Sequence, residues 1–132
     1  MLDEIRFYEV ELREVIKRLR RFFEHSDYDI VVLFGSILRV NIVRDIDIAI
    51  YSMRRDIELD EILELSYRLE EYLKIPVDIV PLSKAPPHIR LEILRKGIPI
   101  IVKVSSLYSE LLKQSMEEVR AMELLLGSER KT

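Results

Sequence analysis

There is no cysteine in this chain, which excludes disulfide frameworks, thiolate zinc sites and cysteine nucleophiles together. Histidine is nearly as scarce. His25 and His88 are the only two, far apart in sequence, so an imidazole-rich metal centre is disfavoured and oxygen ligands are the remaining option. Basic residues are not in excess: 21 Lys and Arg against 24 Asp and Glu leave a net charge of −3, which argues against a broad nucleic-acid surface. No apolar run approaches the ~20 residues needed to span a bilayer. The opening "MLDEIRFYEV" is charged from its third residue and has no signal-peptide apolar core. These absences lead to the expectation of a cytoplasmic protein with neither membrane nor nucleic acid as partner. Asn41 and Gln114 are the single members of their types, a heat-adapted composition that bears on stability rather than function.

What is present suffices for a core. The 132 residues are 48% hydrophobic, which fits one domain, expected over residues 1–126 and followed by a flexible tail, "GSERKT", over 127–132. Leu2, Ile5, Leu12, Val15, Ile16, Leu19, Phe22 and Phe23 recur at helical spacing and predict an amphipathic helix over 3–24. The "KRLRR" run on it reads as a solvated face. "YDIVVLF" (28–34) has the profile of a buried strand ending at Gly35, and "GSILRVN" that of a turn followed by one or two helical turns. "RDIDIAIY" (44–51) alternates and predicts a second strand. Residues 58–74 place Leu59, Ile62, Leu63, Tyr67, Leu69 and Leu73 on one helical stripe. "IPVDIVPL" (75–82) predicts a third strand and "IPIIVKV" (98–104) a fourth. Between these, "PPHIRLEILRKG" has Pro at its entry and Gly just past its end, the usual asymmetry of a helix. A last amphipathic helix carries Leu111, Leu112, Ser115, Met116, Val119, Met122 and Leu126. It is long for so small a domain, so part of it is expected to cover a partner. Strands alternating with helices give an α/β fold, a small sheet flanked by helices.

Asp45 and Asp47 are the anomaly. Side chains two apart on a strand share a face, so the two carboxylates project together while Ile46, Ile48 and Ile50 fill the opposite face. Adjacent carboxylates repel unless a cation lies between them, and paired oxygen ligands suit Mg²⁺. Taken alone, Asp-x-Asp more often marks a solvated strand end balanced by a nearby Arg39 or Arg44. The upstream residues shift that balance. Gly35 and Ser36 follow a buried strand and precede a helical turn, where free backbone N–H groups bind phosphate. Asp78 is a third acid in an apolar strand. If that strand lies beside the second, joined by the 58–74 helix, Asp78 faces the pair. His88 sits in the first turn of a helix and reads as a surface residue. Lys84, Arg90 and Lys103 are further cations that could reach a triphosphate or a partner.

The order "FGS…R…DIDIAI" followed by "VDIV" resembles the nucleotidyltransferase superfamily related to DNA polymerase β. It is most similar to the minimal nucleotidyltransferases that accompany HEPN-domain proteins in prokaryotic toxin–antitoxin pairs. The likeness extends over nearly the whole chain, including "APPHIRLEILRKGIPIIVK". The resemblance implies the polymerase β-like fold on a mixed sheet, and a Mg²⁺-dependent enzyme using ATP. Asp45, Asp47 and Asp78 would be its catalytic and metal-binding carboxylates, with Asp78 helping to deprotonate the attacking hydroxyl. Gly35, Ser36 and Arg39 would hold the phosphates. It further implies transfer of AMP to a tyrosine of a HEPN-type ribonuclease toxin, which this chain would neutralise as its antitoxin within a homo- or hetero-oligomer. Two features depart from the family pattern. Val40 stands where the family has Gly, and eight residues separate Ser36 from Asp45 where about ten are usual. A non-catalytic subunit that binds or scaffolds a partner through its helices is the alternative these departures support.

Overall fold

The computed structural model describes residues 5–130. Its elements run β1 (Tyr8–Glu9), α1 (Leu12–Phe23), β2 (Ile30–Phe34), β3 (Ile42–Val43), β4 (Ile46–Tyr51), α2 (Leu59–Leu73), β5 (Val77–Pro81), α3 (Pro87–Lys96), β6 (Ile98–Val102) and α4 (Ser105–Arg130). Single 3₁₀ turns follow β2, at Ser36–Leu38, and β5, at Leu82–Lys84.

The central sheet has the order β5-β4-β2-β6. β2 is antiparallel to both β4 and β6, whereas β4 and β5 run parallel, as a helical crossover through α2 requires. Both faces are covered, so the inner strands read as almost continuous apolar runs. Val31 and Leu33, with Ile46, Ile48 and Ile50, pack against Val15, Leu19 and Phe23 of α1 and Leu65, Leu69 and Leu73 of α2. On the other face Ile30, Val32 and Ala49 meet Ile93 and Leu94 of α3 and Leu111 of α4. The mixed α/β architecture and the β4–α2–β5 neighbourhood are those expected from the sequence.

Three local expectations need correction. The first helix does not run over 3–24: it starts at Leu12, and residues 3 and 4 lie outside the described residues. Residues 8–9 instead pair with 42–43 in a small antiparallel ribbon, Tyr8 opposite Val43 and Glu9 opposite Ile42, continued by Val10 N–H donating to Asn41 O at 2.8 Å. The apolar stripe has a six-residue gap between Ile5 and Leu12, and across it Tyr8 and Val10 alternate inward onto the core with period two. A tertiary partner thus overrides helical propensity. The second strand starts at Ile46 rather than Arg44, with β3 separate from it. The third correction concerns α2. Its buried line is Leu65, Leu69 and Leu73, at i, i+4, i+8, while Leu59, Leu63 and Tyr67 form a second line that is more than 60% exposed.

At the C-terminus α4 continues through Gly127 to Arg130, and residues 131–132 of the expected tail lie outside the described residues. The first half of α4 packs on α3. There Arg90, almost fully buried, donates Nε–H to Ser115 Oγ at 2.7 Å and pairs with Glu118, and Ser115 donates to Leu111 O at 2.7 Å. Beyond this clamp Met122, Leu124, Leu125 and Leu126 are exposed. No helix among the described residues is long and apolar enough to cross a membrane.

Candidate active site

Sheet register brings the three acids together. Phe34 of β2, Asp47 of β4 and Asp78 of β5 are lateral partners in one row, so the Asp47 and Asp78 side chains emerge on the same face. Asp45 immediately precedes β4, two residues before Asp47. The alternation that sends Ile46 and Ile48 into the α1–α2 core therefore turns both aspartates the other way. Asp45 and Asp47 are half-buried, and Asp78 is exposed.

The Gly35 turn belongs to this cluster. Gly35 has φ +89°, a conformation that L side chains rarely adopt. More decisively, a Cβ built on it would overlap Asp47 Oδ2 and stand 2.9 Å from Asp47 Cγ. The Asp47 carboxyl lies directly against the glycine backbone, so only a residue without a side chain lets the turn and the acid occupy adjacent positions. Ser36 opens the 3₁₀ turn, with Leu38 N–H donating to Gly35 O at 3.2 Å and Arg39 N–H to Ser36 O at 2.9 Å. Arg39 is exposed at the end of that turn and lines the same cleft as Gly35. All six residues expected from the sequence thus lie at one end of the sheet.

The electrostatics identify what the cluster is short of. Asp47 has its pKa pushed up from 3.8 to about 6, first by burial, then by the negative charges of Asp45 and Asp78, and by a hydrogen bond with Asp45. Among the described residues no cation offsets these effects. A half-buried carboxyl whose ionisation is opposed by burial and by two neighbouring acids fits a divalent cation. Among the described residues no three His, Asp or Glu side chains form a ready-made metal cage. Mg²⁺ typically takes one or two carboxylates and completes its shell with water and substrate phosphate.

The other cations singled out in the sequence are engaged elsewhere. Lys84 Nζ donates to Ile57 O at 3.1 Å, Arg90 is in its clamp, and Lys103 Nζ donates to Ser26 O at 2.8 Å at the opposite end of the sheet. His88 is exposed in the first turn of α3, as expected. A larger cavity, about 690 Å³, opens at that opposite end beside Asp29, Met53, Arg55 and Lys103. Several of its charged groups already have partners: Asp29 accepts from Met53 N–H at 2.7 Å, and Arg55 forks onto Asp27 and Glu61. The three acids and the Gly35 turn lie at the other end of the sheet, beside a smaller cleft. Lys96, in the cleft beside Gly35, is a cation the sequence reasoning passed over. The available signal was its place directly before Gly97, at the entry to the strand that borders β2.

Comparison with known proteins agrees with this geometry. A family model described as "Polymerase beta, Nucleotidyltransferase" matches residues 17–106, a span that contains Gly35, Ser36, Arg39 and all three aspartates. No curated protein matches in sequence. Several solved structures share the fold. A chain of a variant MntA–HpeT toxin–antitoxin complex matches with TM-score 0.67 at 20% identity, covering 92% of this chain and 93% of that one. A toxin–antitoxin structure with AMP-PNP matches with TM-score 0.66 at 23% identity, over 90% and 91%. A third match, TM-score 0.63 at 23% identity over 90% and 88%, is to the complex of a tri-AMPylated Shewanella oneidensis HEPN toxin with its MNT antitoxin.

Proposed function

The chain belongs to the polymerase β nucleotidyltransferase family, and on that premise we propose that it transfers AMP from ATP to a tyrosine hydroxyl of a HEPN-type toxin, acting as the antitoxin. The observation that carries this reading is the packing of the Asp47 carboxyl on Gly35, with Asp45 and Asp78 beside it. It joins a phosphate-binding turn to a metal-binding acid cluster without an intervening side chain. The solved relatives support the choice of nucleotide and partner: one carries AMP-PNP, and in another the HEPN toxin is AMPylated.

The roles follow from position. Asp45 and Asp47 would hold Mg²⁺, which when bound would neutralise charge on the phosphate oxygens and on the leaving pyrophosphate. The backbone N–H groups of the Gly35–Ser36 turn and the Ser36 hydroxyl would cradle the β- and γ-phosphates, with the Arg39 guanidinium at their edge. Asp78, the most exposed of the three acids, stands where an acceptor hydroxyl can arrive from solvent and would take its proton. The oxygen then attacks the α-phosphorus in line, the bond to the β-phosphate oxygen breaks, and pyrophosphate leaves. Most of the acceleration is positioning and charge stabilisation. The acceptor hydroxyl would be the partner's tyrosine.

A second reading, a non-catalytic subunit that holds its partner, is favoured by the exposed apolar residues at the end of α4. One experiment separates the two. The protein or its Asp47→Asn variant is co-expressed with the HEPN-type toxin, and neutralisation, complex formation and toxin mass are measured together. The enzyme reading expects AMP on a toxin tyrosine with wild type, and an intact complex without AMP or neutralisation for the variant. Full neutralisation by Asp47→Asn with an unmodified toxin would overturn the enzyme reading and leave the binding subunit.

A further inference from the structure

The sheet order sets four strand ends side by side. Asp78 lies on β5, Asp45 and Asp47 at the start of β4, Gly35 at the end of β2, and Lys96 and Gly97 at the entry to β6. Neighbouring strands are about 4.8 Å apart. The acids, the glycine turn and Lys96 therefore step across the sheet end within reach of one extended triphosphate. A cleft of about 220 Å³ occupies the last of these steps, between the Gly35 turn and α3. Phe34, Leu38, Ile89 and Ile93 form its apolar floor, and Arg39, Lys96 and Glu92 its charged rim. It is smaller than the roughly 300–1,000 Å³ of sites that enclose a drug-sized ligand. It is too small for a whole nucleoside triphosphate and can take only one end of it.

We propose that this cleft receives the terminal phosphate of a nucleoside triphosphate, with Lys96 and Arg39 as its two cations. This inference rests on the nucleotidyltransferase reading and extends it to a residue outside the family's recognised turn. Lys96 at present pairs with Glu92 at 3.3 Å, one helical turn back, and the two side chains are 72% and 60% exposed. An exposed i,i+4 pair is held weakly, so the ammonium can exchange the carboxylate for a phosphate oxygen. Its long flexible stem and three rotatable donors suit a point contact to phosphate, and Arg39 supplies the planar fork. Arg39 makes no ion pair among the described residues. Glu92 is the one acid on the rim and opposes the ligand, so its neutralisation is expected to act in the reverse sense.

The test compares Mg²⁺–ATP with Mg²⁺–ADP by calorimetry on the full chain and three variants. Wild type should prefer ATP. Lys96→Met should lose about tenfold on ATP and little on ADP, the size of one charge-assisted contact. Lys96→Arg should retain the preference, and Glu92→Gln should tighten ATP. If ATP and ADP weaken equally in Lys96→Met, Lys96 serves only the fold of the α3 terminus and the inference is overturned. If ATP binds the variant as it binds wild type, the inference is overturned while the nucleotidyltransferase reading stands. If wild type binds neither nucleotide, both readings fall.

Discussion

Replacing Asp47 with Asn should make the metal-free protein more stable, although the substitution removes a residue of the proposed active site. The carboxyl titrates at about 6 in the fold against 3.8 as an ordinary aspartate. A displacement of this size is about 3 kcal/mol of bias against the charged form. Asp47 is only half-buried, so solvent screens much of that, and about 1–1.5 kcal/mol is expected to remain. The sign follows from proton binding. Between pH 3.8 and 6 the folded state holds a proton that the unfolded chain has released, so stability falls as pH rises through this window and stays lowered above it. Asn is isosteric and uncharged and can still hydrogen-bond to Asp45.

Urea unfolding in EDTA should therefore show Asp47→Asn more stable than wild type by about 1 kcal/mol at pH 8. The difference should shrink as pH falls through 6 and vanish below the ordinary aspartate pKa. Adding Mg²⁺ with ATP should close or invert the gap, because ligand at ~100 times its Kd stabilises the binding-competent protein by about 2.7 kcal/mol. A variant no more stable than wild type at pH 8 in EDTA, or a difference that does not change with pH, would refute the reasoning. Either result would mean that burial and the neighbouring acids do not raise the Asp47 pKa.

Three further outcomes are expected. Gly35→Ala forces a side chain into a left-handed backbone and onto the Asp47 carboxyl. It should lower unfolding free energy by at least about 2 kcal/mol, and adding Asp47→Ala should recover the overlap part of the loss in a double-mutant cycle but not the backbone part. Arg55 forks onto Asp27 and Glu61, and Tyr28 O–H donates to Glu61 at 2.6 Å. The Arg55 guanidinium lowers the pKa of both acids, so the stability this network gives is present above the ordinary carboxylate range and lost as pH falls through the lowered values. Arg55→Met should destabilise by about 1 kcal/mol at pH 7, with the difference fading in acid unfolding followed by circular dichroism. Lys74 closes α2 at φ +62° with its N–H donating to Glu70 O at 2.8 Å. Lys74→Gly should raise the thermal midpoint, by about 0.5–1 kcal/mol at that temperature, and a lowered midpoint would contradict the left-handed cap.

Much of the site was legible because strand periodicity is strict. Once residues 46–51 alternate, Asp45 and Asp47 must share a face, and a helix of suitable length between two apolar strands makes them parallel neighbours, which brings Asp78 alongside. The reason for Gly35 was less visible. A Gly-Ser turn is common, and only the three-dimensional contact with Asp47 shows why no other residue serves. The β1–β3 ribbon escaped detection because two residues pairing with two others, some thirty positions away, leave no periodic trace. The α2 stripe was misread for a related reason. Leucines on its outer side carry the same helical spacing as those inside, and spacing alone does not say which line meets the sheet. Lys96 lay hidden in a pattern with a sufficient local explanation, a basic residue in the last turn of a helix.

The distribution of cations gives the site its logic. Arg55, Arg90, Lys84 and Lys103 are committed to carboxylates or carbonyls that hold α2, α4 and the loops around β2 in place. The three aspartates receive none of them, and Arg39 and Lys96 stand in the cleft beside Gly35 instead. A fold selected for stability alone would place an arginine against Asp47, because an unpaired half-buried carboxylate opposes folding. Such a pairing would also fill the position that a divalent cation and a phosphate need. The uncompensated acids, the positive-φ glycine against one of them and the cations in the cleft beside it form a single arrangement. On the proposed function, its charge balance would be completed by a metal-bound triphosphate rather than by the protein.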